Sequence, residues 1–218
     1  MSADLDLILV RHGNTFEAGE TPVQVGAASD LPLTAKGEEQ AQRVADYLVE
    51  AQLTPAALHA GPLLRQLRTA EIVAEQLGGV SIELRSELSE IDYGAWEGKT
   101  PQELLAVWPE QYSAWTKRSV WPDAFGYRER VLIERLTEWL GLVRKEFVSG
   151  QCIVAVSSNG ILRYLYSLLF PVEWDALVEQ GNVGQVKVGT GHLCHVHLKR
   201  GLATLITWNK SSLAESEG

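Results

Sequence analysis

Leu5 to Val10 form a run that is apolar except for Asp6, and polar Arg11, His12 and Gly13 follow at once. Six residues of this kind bounded by a glycine-containing turn suit a buried strand. The period then changes. Ala41, Val44, Ala45, Leu48 and Val49 recur at i, i+3, i+4, i+7 and i+8, one face of a helix of about 3.6 residues per turn. Leu58-His59-Ala60 reads as a second short strand. Pro62 is expected in the first turn of the next helix. Leu67, Ala70, Ala74 and Leu77 give that helix its core face, and Gly78-Gly79 stops it. Val80 to Leu84 predicts a third strand. Leu132, Leu136, Trp139, Leu140, Val143 and Phe147 predict a long amphipathic helix, and Cys152 to Val156 a further buried strand. Ser157-Ser158-Asn159-Gly160 reads as a turn and Ile161 to Phe170 as a helix closed by Pro171. Roughly from Val186 to Trp208 the alternation predicts two or three strands, and Lys210 to Gly218 reads as a polar, fraying tail.

Strands alternating with helices imply an α/β fold, a three-layer α/β/α sandwich around a mostly parallel mixed sheet. Ligands on such sheets sit at the carboxyl ends of the strands. That rule picks out two loops far apart in the chain, Arg11-His12-Gly13-Asn14 and Ser157-Ser158-Asn159-Gly160, and predicts that they share one crevice. Residues 1–210 read as a single domain and 211–218 as the tail. The stretch from Pro101 to Tyr127 interrupts the alternation and carries Trp108, Trp115 and Trp121 with Lys117 and Arg118 between them. It is expected to be a helical insertion with its own aromatic cluster, placed as a lid over the crevice.

Composition narrows the class without naming a function. Of 218 residues, 45% are hydrophobic and 22% charged, which is globular composition. The net charge of −9 and the lack of a Lys/Arg run argue against nucleic-acid or anionic-membrane partners. Two cysteines, Cys152 and Cys194, make no disulfide framework and fit a reducing compartment. No apolar stretch reaches the roughly 18 residues of a spanning helix, and Met1-Ser2-Ala3-Asp4 lacks a basic leader segment. The expectation is a cytoplasmic protein. His192, Cys194, His195 and His197 invite a metal reading, but strand alternation puts His195 and His197 on one face and the other two opposite, short of three convergent ligands.

Leu9-Val10-Arg11-His12-Gly13-Asn14-Thr15, placed directly after the first strand, resembles the signature of the histidine phosphatase superfamily, the phosphoglycerate mutase-like family. Three further blocks follow in the family's order. Pro62-Leu63-Leu64-Arg65 with Thr69-Ala70 is similar to its Ser-Pro-Leu-x-Arg…Thr-Ala segment, with Gly61 at the serine position. Leu88 to Gly98, which contains Glu90, Asp92 and Glu97, resembles its acidic loop. Val156 to Arg163 resembles Val-Ser-His-Gly-Gly-x-x-Arg. The resemblance implies a phosphoglycerate mutase-like fold and roles residue by residue. His12 would be the nucleophile that takes the phosphoryl group as phosphohistidine, Arg11 and Arg65 would grip its oxygens, and Glu90 would be the general acid. Asn14 would hold a non-bridging oxygen. Such roles suit the chemistry, because guanidinium groups bind phosphate bidentately and phosphoryl transfer is catalysed mainly by positioning and charge stabilisation. Asp92 or Glu97 could also supply the acid.

The chain departs from the pattern where the family's second catalytic histidine should fall, at Ser158, with Asn159 in place of the next glycine. Ser158, Asn159, the Gly160 N–H, Lys187 and Thr190 are the candidates to take over its donor role at the substrate. Gly126-Tyr127-Arg128 also replaces the family's Gly-Glu-Ser, so the resemblance does not specify a substrate. The expected function is hydrolysis of a small phosphorylated metabolite through His12, with no metal or organic cofactor. The alternatives are a phosphate-binding pseudoenzyme and a mutase-type phosphotransferase. Apart from a small phosphate ester no partner is implied, and the oligomeric state is open, a homodimer included.

Overall fold

The computed structural model describes residues 4–146 and 150–211. The apolar run at the N-terminus forms β1 (Asp4–Arg11), and the 3.6-residue pattern after it forms α1 (Ala35–Glu50). Then come β2 (Pro55–Ala60), α2 (Leu64–Gln76) and the short β3 (Ile82–Leu84). Two single-turn 3-10 segments, Ser86–Leu88 and Gly94–Trp96, lead into α3 (Pro101–Val107) and α4 (Pro109–Arg118). The chain continues through α5 (Glu129–Glu146), β4 (Cys152–Ser157), α6 (Asn159–Leu169) and α7 (Pro171–Gln180), then closes with β5 (His192–Lys199) and β6 (Leu202–Ser211).

The six strands form one sheet in the order β3-β2-β4-β1-β5-β6. β1, β2, β3 and β4 run parallel to one another, and β5, antiparallel to β1, and β6, antiparallel to β5, complete the sheet. Alternation along β1 sends Leu5, Leu7 and Leu9 to one face and Ile8 and Val10 to the other. The first face packs on α5, α6 and the aromatic residues of the 93–127 region, the second on α1 and α2. The two cores account for the three layers. β1 and β4 are adjacent and in register, Arg11 opposite Ser157, and the His12 N–H donates to the Ser157 carbonyl at 2.9 Å. The two loops singled out in the sequence therefore leave the sheet side by side.

Several boundaries differ from the pattern reading. Pro62 lies ahead of α2 rather than in its first turn, because Leu63 is the extended residue that caps it. Val49 is exposed at the end of the α1 stripe. Ser157 belongs to β4, and α6 begins at Asn159, so the turn shrinks to Ser158. Pro171 does more than end α6. It is the first residue of α7, where a missing N–H costs nothing. Lys210 and Ser211 belong to β6 rather than to a tail. Phe147 and residues 212–218 lie outside the described residues. Lys187, within the stretch where alternation predicts strands, is exposed in the loop before β5.

α5 spans the sheet through Leu132, Leu136, Trp139, Leu140 and Val143, all buried. The Trp139 indole donates to His59 Nδ1 at 3.1 Å and ties the helix to β2. Leu136→Ala is expected to lower the unfolding free energy by about 2–5 kcal/mol, the range for a truncated core leucine. Urea titration with an unchanged slope checks it. A loss below roughly 1 kcal/mol would contradict the central place given to α5.

Candidate active site

His12 follows β1 directly and is 6% exposed. Its Nδ1 lies 2.7 Å from the Gly13 carbonyl oxygen. A carbonyl only accepts, so Nδ1 carries the proton and Nε2 keeps the ring's lone pair. Burial pushes the His12 pKa well below 6.5, and the positive fields of Arg11 and Arg65 push the same way, against the Gly13 bond. The ring is neutral at neutral pH, which is the form in which imidazole is a nucleophile. The loop can hold it because Gly13 and Gly37 allow the close approach of α1. A Cβ on Gly13 would stand 2.2 Å from the Gly37 carbonyl oxygen.

Both arginines act electrostatically on this ring from different elements, and backbone carbonyls hold each of them. Arg11 donates to the Val188 carbonyl at 2.6 Å, while its Nε is buried without a hydrogen-bond partner. Arg65, in the first turn of α2 and 1% exposed, donates to the Ser29 and Gly26 carbonyls at 2.7 and 3.0 Å. Burial lowers the pKa of both guanidinium groups, although guanidinium stays protonated in proteins. Thr69 knits the parts together, accepting from the Gly13 N–H at 3.1 Å and donating to the Arg65 carbonyl at 2.7 Å.

Glu90 is 4% exposed. Burial raises its pKa above 4.5, although the Ile91 and Gly160 N–H groups (2.8 and 3.1 Å) and the two arginines pull it down. It is the carboxyl group that acts electrostatically on both Arg11 and Arg65. Gly160 must be glycine for this contact, since a Cβ there would stand 2.4 Å from Glu90 Oε1 and 2.7 Å from the Tyr93 hydroxyl. Asp92 and Glu97 have other tasks. Asp92 accepts from the Gly94 N–H at 2.9 Å. Glu97 accepts from the Gly26 N–H at 2.9 Å and the Ser29 hydroxyl at 2.6 Å, and so braces the loop whose carbonyls hold Arg65.

The remaining candidates are placed differently from one another. Asn14 turns its Nδ2 into its own loop, toward the Phe16 carbonyl and the Thr34 hydroxyl, so that amide braces the loop. Ser158 is fully buried at the start of α6, and its Oγ accepts from Gln66 Nε2 at 2.8 Å. Asn159 accepts from the Val188 N–H at 2.9 Å, so it and Arg11 grip the same residue. Thr190 accepts from Gln40 at 3.2 Å, and Lys187 is exposed. The structure thus gathers His12, Arg11, Arg65, Glu90 and Ser158 around the ends of β1 and β4, and gives Asn14, Asn159 and Thr190 loop-bracing contacts.

Pattern reading missed Gln66 and the carbonyls of residues 26 and 29, because none carries a recognisable spacing, and it offered Glu97 as an alternative acid where the structure gives it a bracing role. It also gave no task to Arg163, 8% exposed, whose guanidinium stacks 3.8 Å over the Trp115 ring. Among the described residues no group of three or more His, Cys, Asp or Glu side chains could hold a metal ion. His195 and His197 do share a face, both reaching Asp6, at 2.8 and 3.1 Å. No helix among the described residues is long and apolar enough to cross a membrane.

The sequence matches the histidine phosphatase superfamily (branch 1) over residues 7–211, and the chain belongs to that superfamily. It is 31% identical over 175 residues to phosphoglycerate mutase-like protein 4 of Arabidopsis thaliana, covering 78% of this chain and 74% of that one. It is 37% identical over 116 residues to probable phosphoglycerate mutase GpmB of Salmonella choleraesuis (strain SC-B67), which is 53% of this chain and half the length of that relative. A solved structure titled as a putative alpha-ribazole-5'-P phosphatase from Escherichia coli (str. K-12 substr. MG1655) superposes with a TM-score of 0.74 at 25% identity, over 95% of this chain and 98% of that one.

The His12 geometry has a direct test. In the folded protein, NMR of the imidazole nitrogens should show a neutral ring protonated at Nδ1 that does not titrate around the unfolded value of 6.5. As pH falls through that value the unfolded chain takes up a proton that the native ring refuses, so His12 subtracts stability progressively toward acid pH. A ring that protonates at or above 6.5 would contradict the assignment.

Proposed function

We propose that the protein is a phosphatase that hydrolyses a small phosphorylated metabolite through a phosphohistidine on His12. The observation that carries this reading is the buried, neutral His12, anchored at Nδ1 and in the field of two backbone-held guanidinium groups, on both of which a protonatable Glu90 also acts. Arg11 and Arg65 bind the dianion and spread its charge in a water-poor pocket. Nε2 attacks phosphorus, and the N–P bond forms as the P–O bond to the leaving group breaks. The proton on Glu90 goes to the departing alkoxide, which the raised pKa permits. Water then attacks phosphorus, Glu90 takes a proton from it, the N–P bond breaks, and phosphate and free His12 result.

Ser158 stands where the superfamily's second catalytic histidine would be, and in this reading it replaces that cation with a neutral donor. Its Oγ accepts from Gln66, which leaves the hydroxyl proton for a phosphoryl oxygen. Exchanging a cation for a neutral donor weakens one transition-state contact, and losing such a contact outright costs about 10²–10³ in rate, so activity is expected to be modest without being abolished. The residues from Pro101 to Tyr127 serve as the lid-like insertion of a single domain, and its Trp115 and Trp121 pack not in a cluster of their own but on the core shared with β1, α5 and α6.

Steady-state hydrolysis of an activated aryl phosphate tests this reading. His12→Ala should abolish turnover while circular dichroism stays native. Ser158→Ala should lower kcat by about one to two decades with a smaller change in KM, since the hydroxyl acts on charge that develops in the transition state. Wild-type turnover in folded His12→Ala would remove the covalent route. A wild-type protein that binds vanadate and hydrolyses no ester would be a phosphate-binding protein instead.

The assignment of Glu90 has its own test. Glu90→Gln cannot protonate a leaving group. The kcat/KM for an alkyl phosphate, which reports transfer to His12 and not the later attack of water, should therefore fall by about 10²–10⁴, and that for an aryl phosphate with an acidic leaving group far less. Equal losses on both esters would contradict a role for Glu90 as general acid.

A further inference from the structure

The site holds a side chain that the phosphatase reading does not by itself require. Gln66 lies one position after Arg65 on α2 and is fully buried. A buried amide must be accounted for at both ends. Its Oε1 accepts from the Leu63 N–H at 3.4 Å. Its Nε2 donates to the Leu88 carbonyl at 3.0 Å and to Ser158 Oγ at 2.8 Å. The Leu88 carbonyl fixes which end of the amide is the nitrogen, since a carbonyl cannot donate to an amide oxygen. The same carbonyl accepts from the Ser157 hydroxyl at 2.7 Å, so it is held on both sides.

This arrangement leaves no room at position 61. A Cβ on Gly61 would stand 2.0 Å from Gln66 Oε1 and 2.7 Å from the Leu88 carbonyl oxygen. Position 61 is where the superfamily segment carries serine, and Ser158 is where it carries histidine. The two departures are therefore one feature in space. Gln66 fills the volume beside both of them, and a glycine on one side and a small hydroxyl on the other make its place.

The geometry points to Gln66 as a positioning residue for phosphoryl transfer, one that orients the Ser158 hydroxyl proton toward the bound phosphoryl group. The inference rests on the phosphatase reading and adds what makes Ser158 a donor. A serine hydroxyl left alone rotates and can offer either a proton or a lone pair. A fixed N–H directed at Oγ occupies a lone pair, and Ser158 Oγ accepts no capping bond from α6 that would compete with it. The rotor position that would turn the proton toward Gln66 is thus excluded before substrate arrives, and restricting a donor in advance is where preorganisation draws its value.

The experiment is a double-mutant cycle read in kcat and KM on an aryl phosphate, with Gln66→Leu, Ser158→Ala and the pair. Gln66→Leu is expected to lower kcat about tenfold, the scale of one lost hydrogen bond, with KM changed much less. In the Ser158→Ala background the same substitution should cost almost nothing more. Gln66→Glu supplies a second, near-isosteric readout. The introduced carboxylate can only accept, so it draws the Ser158 proton away. Activity of this variant relative to wild type at each pH should therefore recover as pH falls and the introduced carboxyl group regains a donor. Equal Gln66→Leu losses with and without the Ser158 hydroxyl, or a Gln66→Glu ratio flat with pH, would overturn the inference and leave the phosphatase reading standing. A wild-type protein without turnover would overturn both.

Discussion

The bond from His12 Nδ1 to the Gly13 carbonyl, at 2.7 Å, is the constraint on which the rest of the site depends. It is a local contact, made by the residue to its own neighbour, and it fixes tautomer, ring plane and the exposed lone pair at once. It is useful only if the ring stays uncharged, and two features ensure that. Burial removes the solvent that would stabilise imidazolium, and Arg11 and Arg65 add positive charge beside it. The guanidinium groups therefore act twice. They depress protonation of the nucleophile, and they form the positive cradle that a phosphate dianion needs.

Holding three cationic or potentially cationic groups together is costly, and the fold offsets that cost with backbone carbonyls. Val188 holds Arg11, and Gly26 and Ser29 hold Arg65. These acceptors are neutral, so they satisfy donors without neutralising the field. Among the described residues the carboxyl group acting on both arginines is Glu90, itself buried enough to be shifted toward its protonated form. Glu97 acts at one remove, fixing the loop that carries the Gly26 and Ser29 carbonyls. The sheet supplies the frame, because β1 and β4 end side by side and deliver His12 and Ser158 to the same place.

What the sequence made legible follows from how local each signal was. His12 and Arg11 stand next to a six-residue apolar run, so strand and site were read together. Arg65 and Glu90 were placed by segment resemblance, and their convergence on His12 follows the rule that ligands collect at strand ends. Asn14 was read as a phosphate contact because its type and position permitted it, yet the structure turns its Nδ2 toward the Phe16 carbonyl and the Thr34 hydroxyl. The carbonyls of residues 26 and 29 left no trace in the sequence, since any residue can offer one. Gln66 was equally silent. Its partners, Leu88 and Ser158, lie 22 and 92 positions away, and no periodicity links them. α7 was missed because Pro171 signals a helix stop and a helix start alike.

The central claim is that an uncharged His12 becomes covalently phosphorylated. Rapid quenching of the wild-type protein during turnover of an activated aryl phosphate, followed by peptide mass spectrometry under alkaline conditions, tests it most directly. The account predicts phosphate on the peptide containing His12, stable in alkali, lost in acid, and formed and discharged no more slowly than steady-state turnover. Turnover with no phosphate on His12 at any time, or with phosphate on Ser158 instead, would contradict it.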